Sequence, residues 1–146
     1  MKQIVLSAAL ACAALPALAE VVQLKSAKAV GPTVDALEAA VTEAGAKVVA
    51  RVDHGKGAAS VDMPLGESQL LIFGNPALGT PVMQADPLAG LRLPLKVLVY
   101  ADAEGQVWLA YENPADMFAG LAIPAEGGAI EKMAGALAKL TEKAAQ

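Results

Sequence analysis

Five side chains in this sequence belong to types that bind ligands or metals: His54, Asn75, Met83, Tyr111 and Asn113. His54 is the only histidine, and histidine ordinarily changes charge near neutral pH. Such a residue can bind a metal, act as a general base, or bond to the backbone at the end of a strand. Because no second histidine accompanies it, we predict the backbone role for His54 and treat chemistry there as the alternative.

Metal ligands are scarce in this chain. A zinc site takes three or four ligands, whereas the sequence has one histidine and one cysteine, Cys12. Because Cu(I) accepts thioether sulfur, His54 with Met83 (or with Met63 or Met117) is an alternative copper site. Haem with histidine and methionine axial ligands is a further alternative, although a C-x-x-C-H motif is absent from the sequence. We predict no metal site, leave the cofactor unassigned because the sequence implies none, and keep copper or haem binding through His54 and Met83 as a second hypothesis.

Catalytic motifs are equally scarce. The sequence contains no G-x-S-x-G elbow, no G-x-G-x-x-G motif and no Walker loop. Beyond residue 19 the serines are Ser26, Ser60 and Ser68, and only His54 could activate one of them. We predict no catalytic residues and a non-enzymatic binding role. An enzyme of unknown class centred on His54 is the third hypothesis.

Asn75 and Asn113 each stand directly before a proline, as do Thr80 and Asp86. The side chain at such a position accepts a hydrogen bond from a free N–H at a helix start, and the proline has no N–H to lose. We therefore interpret Asn75 and Asn113 chiefly as helix caps, with ligand contact as a second role. Tyr111 has an apolar ring with a polar end, which suits a core edge or the wall of a groove.

Proline spacing also predicts the form of residues 76–89. Pro81 and Pro87 both fall in this segment, and a proline inside a helix removes a hydrogen bond and clashes with the preceding turn. We therefore expect short helical turns that end at Gly79 and Gly90 and then restart.

Apolar periodicity defines the elements that must position these side chains. Predicted strands cover residues 20–25, 47–53, 69–73, 95–101 and 106–111, and predicted helices cover 32–44, 114–121 and 130–140. The glycine-rich stretch 54–60 predicts a loop. The order β-α-β-β-β-β-α, with helical excursions after strands 3 and 5, indicates an α+β fold with a mixed or antiparallel sheet covered by helices.

Residues 1–19 have the features of a secretory signal. Lys2 is followed by the apolar run 4–15, which is too short to span a bilayer, and Ala17-Leu18-Ala19 forms an A-x-A cleavage site. We predict cleavage between Ala19 and Glu20, a periplasmic or secreted protein, and no membrane attachment afterwards. Lipid attachment at Cys12 is the alternative, although the residues before it fit a lipid-attachment box poorly.

Chain length and net charge narrow the classes of protein to which this chain could belong. Residues 20–146 have the length of one ordinary domain, and no cysteine follows Cys12, so the core must hold the fold without disulfides. The formal net charge is −4, and removal of Lys2 makes it more negative. This balance argues against a nucleic-acid partner, which would require a basic surface.

Several motifs resemble the bacterial family called domain of unknown function 302. They are Phe73-Gly74-Asn75-Pro76, Gly79-Thr80-Pro81 with Met83, Pro94-Leu95-Lys96 and Tyr111-x-Asn113-Pro114, together with Asp53-His54 after the second strand. The resemblance covers residues 20 to about 122. It implies a β-α-β(4)-α fold similar to that of the TATA-binding protein, small homodimers, and no established activity. The Gly- and Ala-rich segment 54–63 departs from relatives that often look helical there.

These observations predict an exported, non-enzymatic domain that binds a small ligand or a partner and forms a homodimer, and they imply no particular cofactor. We expect an apolar pocket between the sheet and its helices. The Asn-Pro turns and His54 are expected at the rim of that pocket.

Overall fold

The computed structural model of this protein describes residues 20–124 and 128–146. The predicted signal segment 1–19, which ends at Ala19, lies outside the described residues. Within the described ranges, no helix combines the length and the apolar character needed to cross a membrane.

A five-stranded sheet forms the centre of the fold. The strands are β1 (Val21–Ser26), β2 (Lys47–Asp53), β3 (Ser68–Gly74), β4 (Leu95–Ala101) and β5 (Val107–Glu112). Their order is β1-β5-β4-β3-β2, and every neighbouring pair is antiparallel. The predicted α+β class is confirmed, and the sheet is antiparallel, not mixed. Each strand lies within one residue of its prediction, because each carries its own apolar run.

Two long helices cover one face of this sheet, here called the inner face. They are α1 (Val30–Glu43) and α5 (Ala129–Ala145), which contact each other and the strands. Along β4, Leu95, Val97 and Val99 are buried against them, as the alternation of a strand requires. The opposite face carries no long helix among the described residues and is called the outer face.

Both long helices extend beyond their predicted bounds. α1 begins at Val30, so Pro32 is its third residue and not its first. α5 continues to Ala145, beyond its predicted end at residue 140. Its C-terminal carbonyls are held by the chain after β1, since the Ala27 N–H donates to the Ala145 carbonyl at 3.0 Å and Lys28 Nζ donates to the Ala144 carbonyl at 3.1 Å.

The predicted loop at 54–60 is wrong, because the chain forms the short helix α2 (His54–Ala59) there. The Asp53 carboxylate caps it by accepting the Lys56 N–H at 2.8 Å. The two glycines of the segment lower its helix propensity, which is why the pattern indicated a loop. α2 buries none of its residues.

The expectation of several restarting turns after β3 is wrong in part. One helix, α3 (Pro76–Ala85), runs through Pro81, and a separate 3₁₀ turn (Pro87–Leu91) follows it. Pro81 and Ala77 are both exposed, so the carbonyl that loses its helical partner faces water. Gly79 does not end the helix: it is buried, and a Cβ there would lie 3.3 Å from Leu93 Cδ1.

The excursion after β5 is also shorter than predicted. The helix α4 (Pro114–Met117) stops at Phe118, where residues 114–121 were expected to be helical. Helical excursions after strands 3 and 5 are therefore present as predicted, and α2 adds a third after strand 2.

The two ends of the sheet are named here for later use. The cavity end holds Lys47 of β2, which is opposite Gly74 of β3, together with the start of β4 and the end of β5. The turn end holds Asp53, opposite Gln69, and the β4–β5 turn at residues 102–106. β2 spans the distance between the ends, roughly 20 Å at about 3.3 Å per residue.

Candidate functional site

A cavity of about 370 Å³ opens at the cavity end, between the β2–β3 edge, α3 and α5. This volume lies in the lower part of the range of small-molecule sites, roughly 300–1,000 Å³. The walls are largely apolar and come from four parts of the chain. They include Phe73, Leu78, Leu95, Met133, Ala136 and Leu140.

Asn75 lies on the wall of this cavity and also caps α3. Its side-chain Oδ1 accepts the Ala77 N–H at 2.9 Å, and its backbone carbonyl accepts the N–H groups of Leu78 and Gly79 at 3.0 and 2.9 Å. The predicted capping role is therefore confirmed. Because Oδ1 is occupied by the cap, the amide nitrogen Nδ2 is the end of the side chain that remains to donate.

Met83 lies on the same wall as Asn75, one turn after Gly79 on α3. Its side chain is 38% exposed, and a Cβ on Gly90 would lie 3.7 Å from its sulfur. The thioether therefore bridges α3 and the following 3₁₀ turn at the cavity rim. Leu88 and Leu91 of that turn are also exposed.

Lys47 was not singled out from the sequence, and the structure places it on the cavity wall. It begins β2 directly opposite Gly74, the residue before Asn75. Among the described residues that line the cavity, none is acidic. No described carboxylate forms an ion pair with the Lys47 ammonium.

Tyr111 borders a second cleft, of about 300 Å³, and not the main cavity. β4 and β5 pair only between Leu98 with Ala110 and Ala101 with Val107, whereas β5 stays paired with β1 to its end. The two central strands thus part at the cavity end.

The second cleft and the main cavity share one lining residue. Leu95 lines both, and α5 supplies Leu137 to the cleft and Leu140 to the cavity. Tyr111 itself is buried, and this burial raises the pKa of its phenol above the ordinary value of 10.0. A phenol held neutral in this way is part of the core wall and is not an acid poised for chemistry.

Asn113 confirms its predicted capping role at the start of α4. Its Oδ1 accepts the Ala115 N–H at 3.1 Å, and its own N–H donates to the Glu20 carbonyl at 2.8 Å. Asn113 does not line the main cavity, but α4 ends at Met117, which lines the second cleft. Asn113 therefore positions a cleft wall without facing the cavity.

His54 lies at the turn end, so the expectation that it borders the apolar cavity is wrong. It is the first residue of α2, exposed, and a full strand length away from Lys47 and the cavity. The structure does not bring His54 and Met83 together. The described residues contain no group of three or more His, Cys, Asp or Glu side chains that could hold a metal ion.

The carboxylates of the turn end have structural partners. Asp102 accepts the Trp108 Nε1–H at 2.7 Å and the N–H groups of Gln106 and Glu104 at 2.8 and 3.1 Å. The Trp108 hydrogen bond, with help from these backbone bonds, lowers the pKa of Asp102 below its ordinary value of 3.8. The Lys56 backbone N–H likewise lowers the pKa of Asp53. These groups close a turn and cap a helix.

Sequence reasoning thus found two cavity residues, Asn75 and Met83, and missed most of the wall. The helical stripe through Met133 and Leu140 was visible as core periodicity. Its position at the mouth of a cavity depends on how α5 meets α3, which no local pattern records. Lys47 carried no signal at all, since a lysine that begins a strand is ordinary.

The fold and its cavity define a small α+β domain with a covered sheet and a pocket at one sheet end. Residues 22–144 match the family described as Domain of unknown function DUF302, and the chain belongs to that family. The resemblance seen in its motifs is thereby confirmed.

A solved structure supports the same fold. The crystal structure of an uncharacterized conserved DUF302 protein from Bacillus stearothermophilus is similar with a TM-score of 0.77 and 18% sequence identity. The similarity covers 85% of this chain and 97% of that chain. At this identity the likeness is one of fold.

Curated relatives with higher identity are longer proteins. The fluoride-specific ion channel FluC 1 of Brucella suis biovar 1 (strain 1330) is 39% identical over 94 residues, which are 64% of this chain and 37% of that protein. FluC 2 of Brucella melitensis biotype 1 (strain ATCC 23456 / CCUG 17765 / NCTC 10094 / 16M) is 39% identical over 94 residues, 64% of this chain and 35% of that protein. The chain spans just over a third of the length of these relatives.

Proposed function

We propose that this protein is an exported, non-enzymatic binding domain whose ligand occupies the apolar cavity at the cavity end of the sheet. The observation that carries the proposal is the cavity itself, about 370 Å³ at the segment 73–83 where the family motif lies. Apolar clefts with a few converging polar groups are the usual form of small-molecule sites. Asn75 and Lys47 supply such groups here.

The separation of His54 and the turn-end carboxylates Asp53 and Asp102 from the cavity favours binding over catalysis. A general acid or base must lie within hydrogen-bond reach of the atom it serves. His54 is a strand length from the cavity, and the turn-end carboxylates are bonded to a helix start and a turn. Fluoride transport is named for relatives of which this chain spans just over a third.

Filling the cavity tests the proposal. Ala136 of α5 lines the cavity, so Ala136→Trp should occupy it and weaken binding of a neutral apolar dye such as Nile red at least tenfold. Gly135→Phe is the matched control, because a Cβ on Gly135 meets nothing within 4 Å. Equal dye binding by wild type, Ala136→Trp and Gly135→Phe would contradict the cavity as the site.

A homodimer formed through the outer face is a second proposal. The registers place Gln23, Ala110, Leu98, Leu70 and Val52 in one row across this face. A largely apolar row at the centre of an uncovered sheet is a surface that a second copy can cover isologously. The mixed charges beside this row suit such a self-pairing, in which a cation of one copy can meet an anion of the other.

Light scattering of the purified protein tests the dimer. A dimer of the wild type that becomes a monomer in Leu98→Lys is the expected result, with Val61→Lys as an exposed apolar control in the loop after α2. A monomeric wild type at micromolar concentration would contradict it. Export is tested separately, by the N-terminal sequence of the periplasmic protein, which should begin at Glu20.

A further inference from the structure

The polar groups at the cavity mouth are hydrogen-bond donors, and this restricts the ligand. The lining side chains that carry nitrogen or oxygen are those of Lys47 and Asn75, among the residues that the structure describes. Lysine is a donor only. The Asn75 amide has its acceptor oxygen committed to the Ala77 N–H at 2.9 Å, so it offers Nδ2.

The two donors come from adjacent positions in the sheet. Lys47 pairs with Gly74, and Asn75 directly follows Gly74 along the chain. Directly opposite residues of an antiparallel pair have Cα atoms about 5 Å apart. Lys47 and Asn75 both line the cavity, and no acidic side chain is found among the described lining residues.

We propose that the ligand is a single-chain amphiphile with a carboxylate head, in other words a medium-chain fatty acid. Its alkyl chain lies along the apolar walls, and its carboxylate lies between Lys47 and Asn75 at the rim. The inference rests on the proposed ligand binding and adds the chemical class of the ligand. Charge complementarity selects the anion over a neutral or cationic amphiphile of equal length.

The cavity volume sets the expected chain length. A methylene group fills roughly the volume of one water molecule in the liquid, about 30 Å³. A cavity of about 370 Å³ therefore suits a chain of at most about twelve carbons. Each methylene buried from hexanoate to decanoate should tighten binding about fourfold, and the gain should stop once the chain exceeds the cavity.

Calorimetric titration of the purified protein with decanoate, decanol and decyltrimethylammonium, each below its micellar concentration, tests the head group. Decanoate is expected to bind about tenfold more tightly than decanol, with decyltrimethylammonium weakest. If decanol binds as tightly as decanoate, the head-group inference is overturned and the apolar site stands. If none of the three binds, both the inference and the proposed function are overturned.

Two substitutions separate the donors from the fold. Asn75→Asp keeps the oxygen that caps α3 but replaces Nδ2 with a second oxygen. Decanoate should therefore bind at least tenfold more weakly, while the affinity for decanol should change little. Asn113→Asp makes the same change at α4, the other helix capped by an asparagine, and should leave decanoate binding unchanged.

Lys47→Ala should weaken decanoate binding by only about threefold to fivefold, because Lys47 is exposed. Lys96→Ala, which borders the second cleft, is its control. Decanoate affinity that is unchanged in both Asn75→Asp and Lys47→Ala would overturn the inference.

Discussion

The two ends of the sheet differ in the side chains that they carry and in the roles of those side chains. The turn end holds His54, Asp53 and Asp102, and its carboxylates accept hydrogen bonds from backbone and indole N–H groups. The cavity end holds an apolar space with Lys47 and Asn75 at its rim. The single histidine and the hydrogen-bonded carboxylates Asp53 and Asp102 therefore lie at the opposite end of the sheet from the ligand-sized space. The comparison teaches that the residue most suggestive of chemistry in a sequence need not lie near the site where the fold leaves room.

The largest expected effect concerns how tightly each region is packed. Leu71 is fully buried and lines neither the cavity nor the cleft, whereas Leu95 lines both. Leu71→Ala should lower the free energy of unfolding by about 3–4 kcal/mol, and Leu95→Ala by about 2 kcal/mol, because Leu95 already borders empty space.

Chemical denaturation of the two variants measures this difference. Leu95→Ala should also join the cavity and the cleft, so a saturating apolar ligand should stabilise it more than it stabilises the wild type. A Leu95→Ala loss that equals or exceeds that of Leu71→Ala would show that the cavity end is as densely packed as the rest of the core.

Helix caps at the two ends should differ in their effect on stability. Asn75→Ala removes the cap of α3, which packs against α5, and should cost about 1 kcal/mol of unfolding free energy. Asp53→Ala removes the cap of α2, which buries no residue, so its effect should stay local and be smaller. Hydrogen exchange alongside denaturation checks both, and a global loss from Asp53→Ala would contradict the contrast.

Both ends of the sheet should contribute to the pH dependence of stability, the turn end in the acid range and the cavity end in the alkaline range. The folded-state pKa values of Asp53 and Asp102 are lowered below 3.8, so their contribution is present above that pH and is lost as the pH falls below it. Burial raises the pKa of Tyr111 above 10.0, so its contribution is present below pH 10 and is lost above it.

Unfolding measured from pH 2 to 11 separates these two contributions. Asp102→Asn should make the acid decline shallower and leave the alkaline decline unchanged, whereas Tyr111→Phe should do the reverse. An acid decline that is unaltered in Asp102→Asn would remove the role given to the turn-end hydrogen bonds.

The smallest expected effect is that of the lone histidine. His54→Ala changes an exposed residue at the start of a helix that buries nothing, so unfolding free energy should change by less than about 0.5 kcal/mol. Decanoate affinity should not change. A tenfold loss of ligand binding or of Cu(I) binding in this variant would show that the functional site includes His54 at the turn end.

Local signals in the sequence predicted the sheet and the caps, because both depend on neighbouring residues. The apolar pattern of each run is enough to favour a strand, and the Asn-Pro pairs at 75 and 113 are enough to favour a helix start. The helix α2 was missed because Gly55 and Gly57 weaken a helix that the Asp53 cap nonetheless begins. Pro81 was expected to break α3, and it is tolerated because its turn faces solvent.

An apolar pocket with the Asn-Pro turns at its rim was expected, and Asn75 does line the cavity, but the position and most of the lining of the cavity could not be predicted from local patterns. The cavity forms where three separate elements converge, namely β2 with Lys47, α3 with its cap Asn75 and with Met83, and α5 with Ala136. Each residue alone is an ordinary strand start, cap, apolar side chain or helix residue. Their convergence depends on the splay between α3 and α5, which tertiary packing decides.

Mapping amide chemical shifts in the purified protein during a decanoate titration tests the central claim most directly. The account predicts saturable shifts that cluster at the cavity end, around Asn75, Gly79, Met83 and Ala136, with His54 and α2 unchanged. Shifts centred on His54 and α2, or no saturable shifts at all, would contradict it.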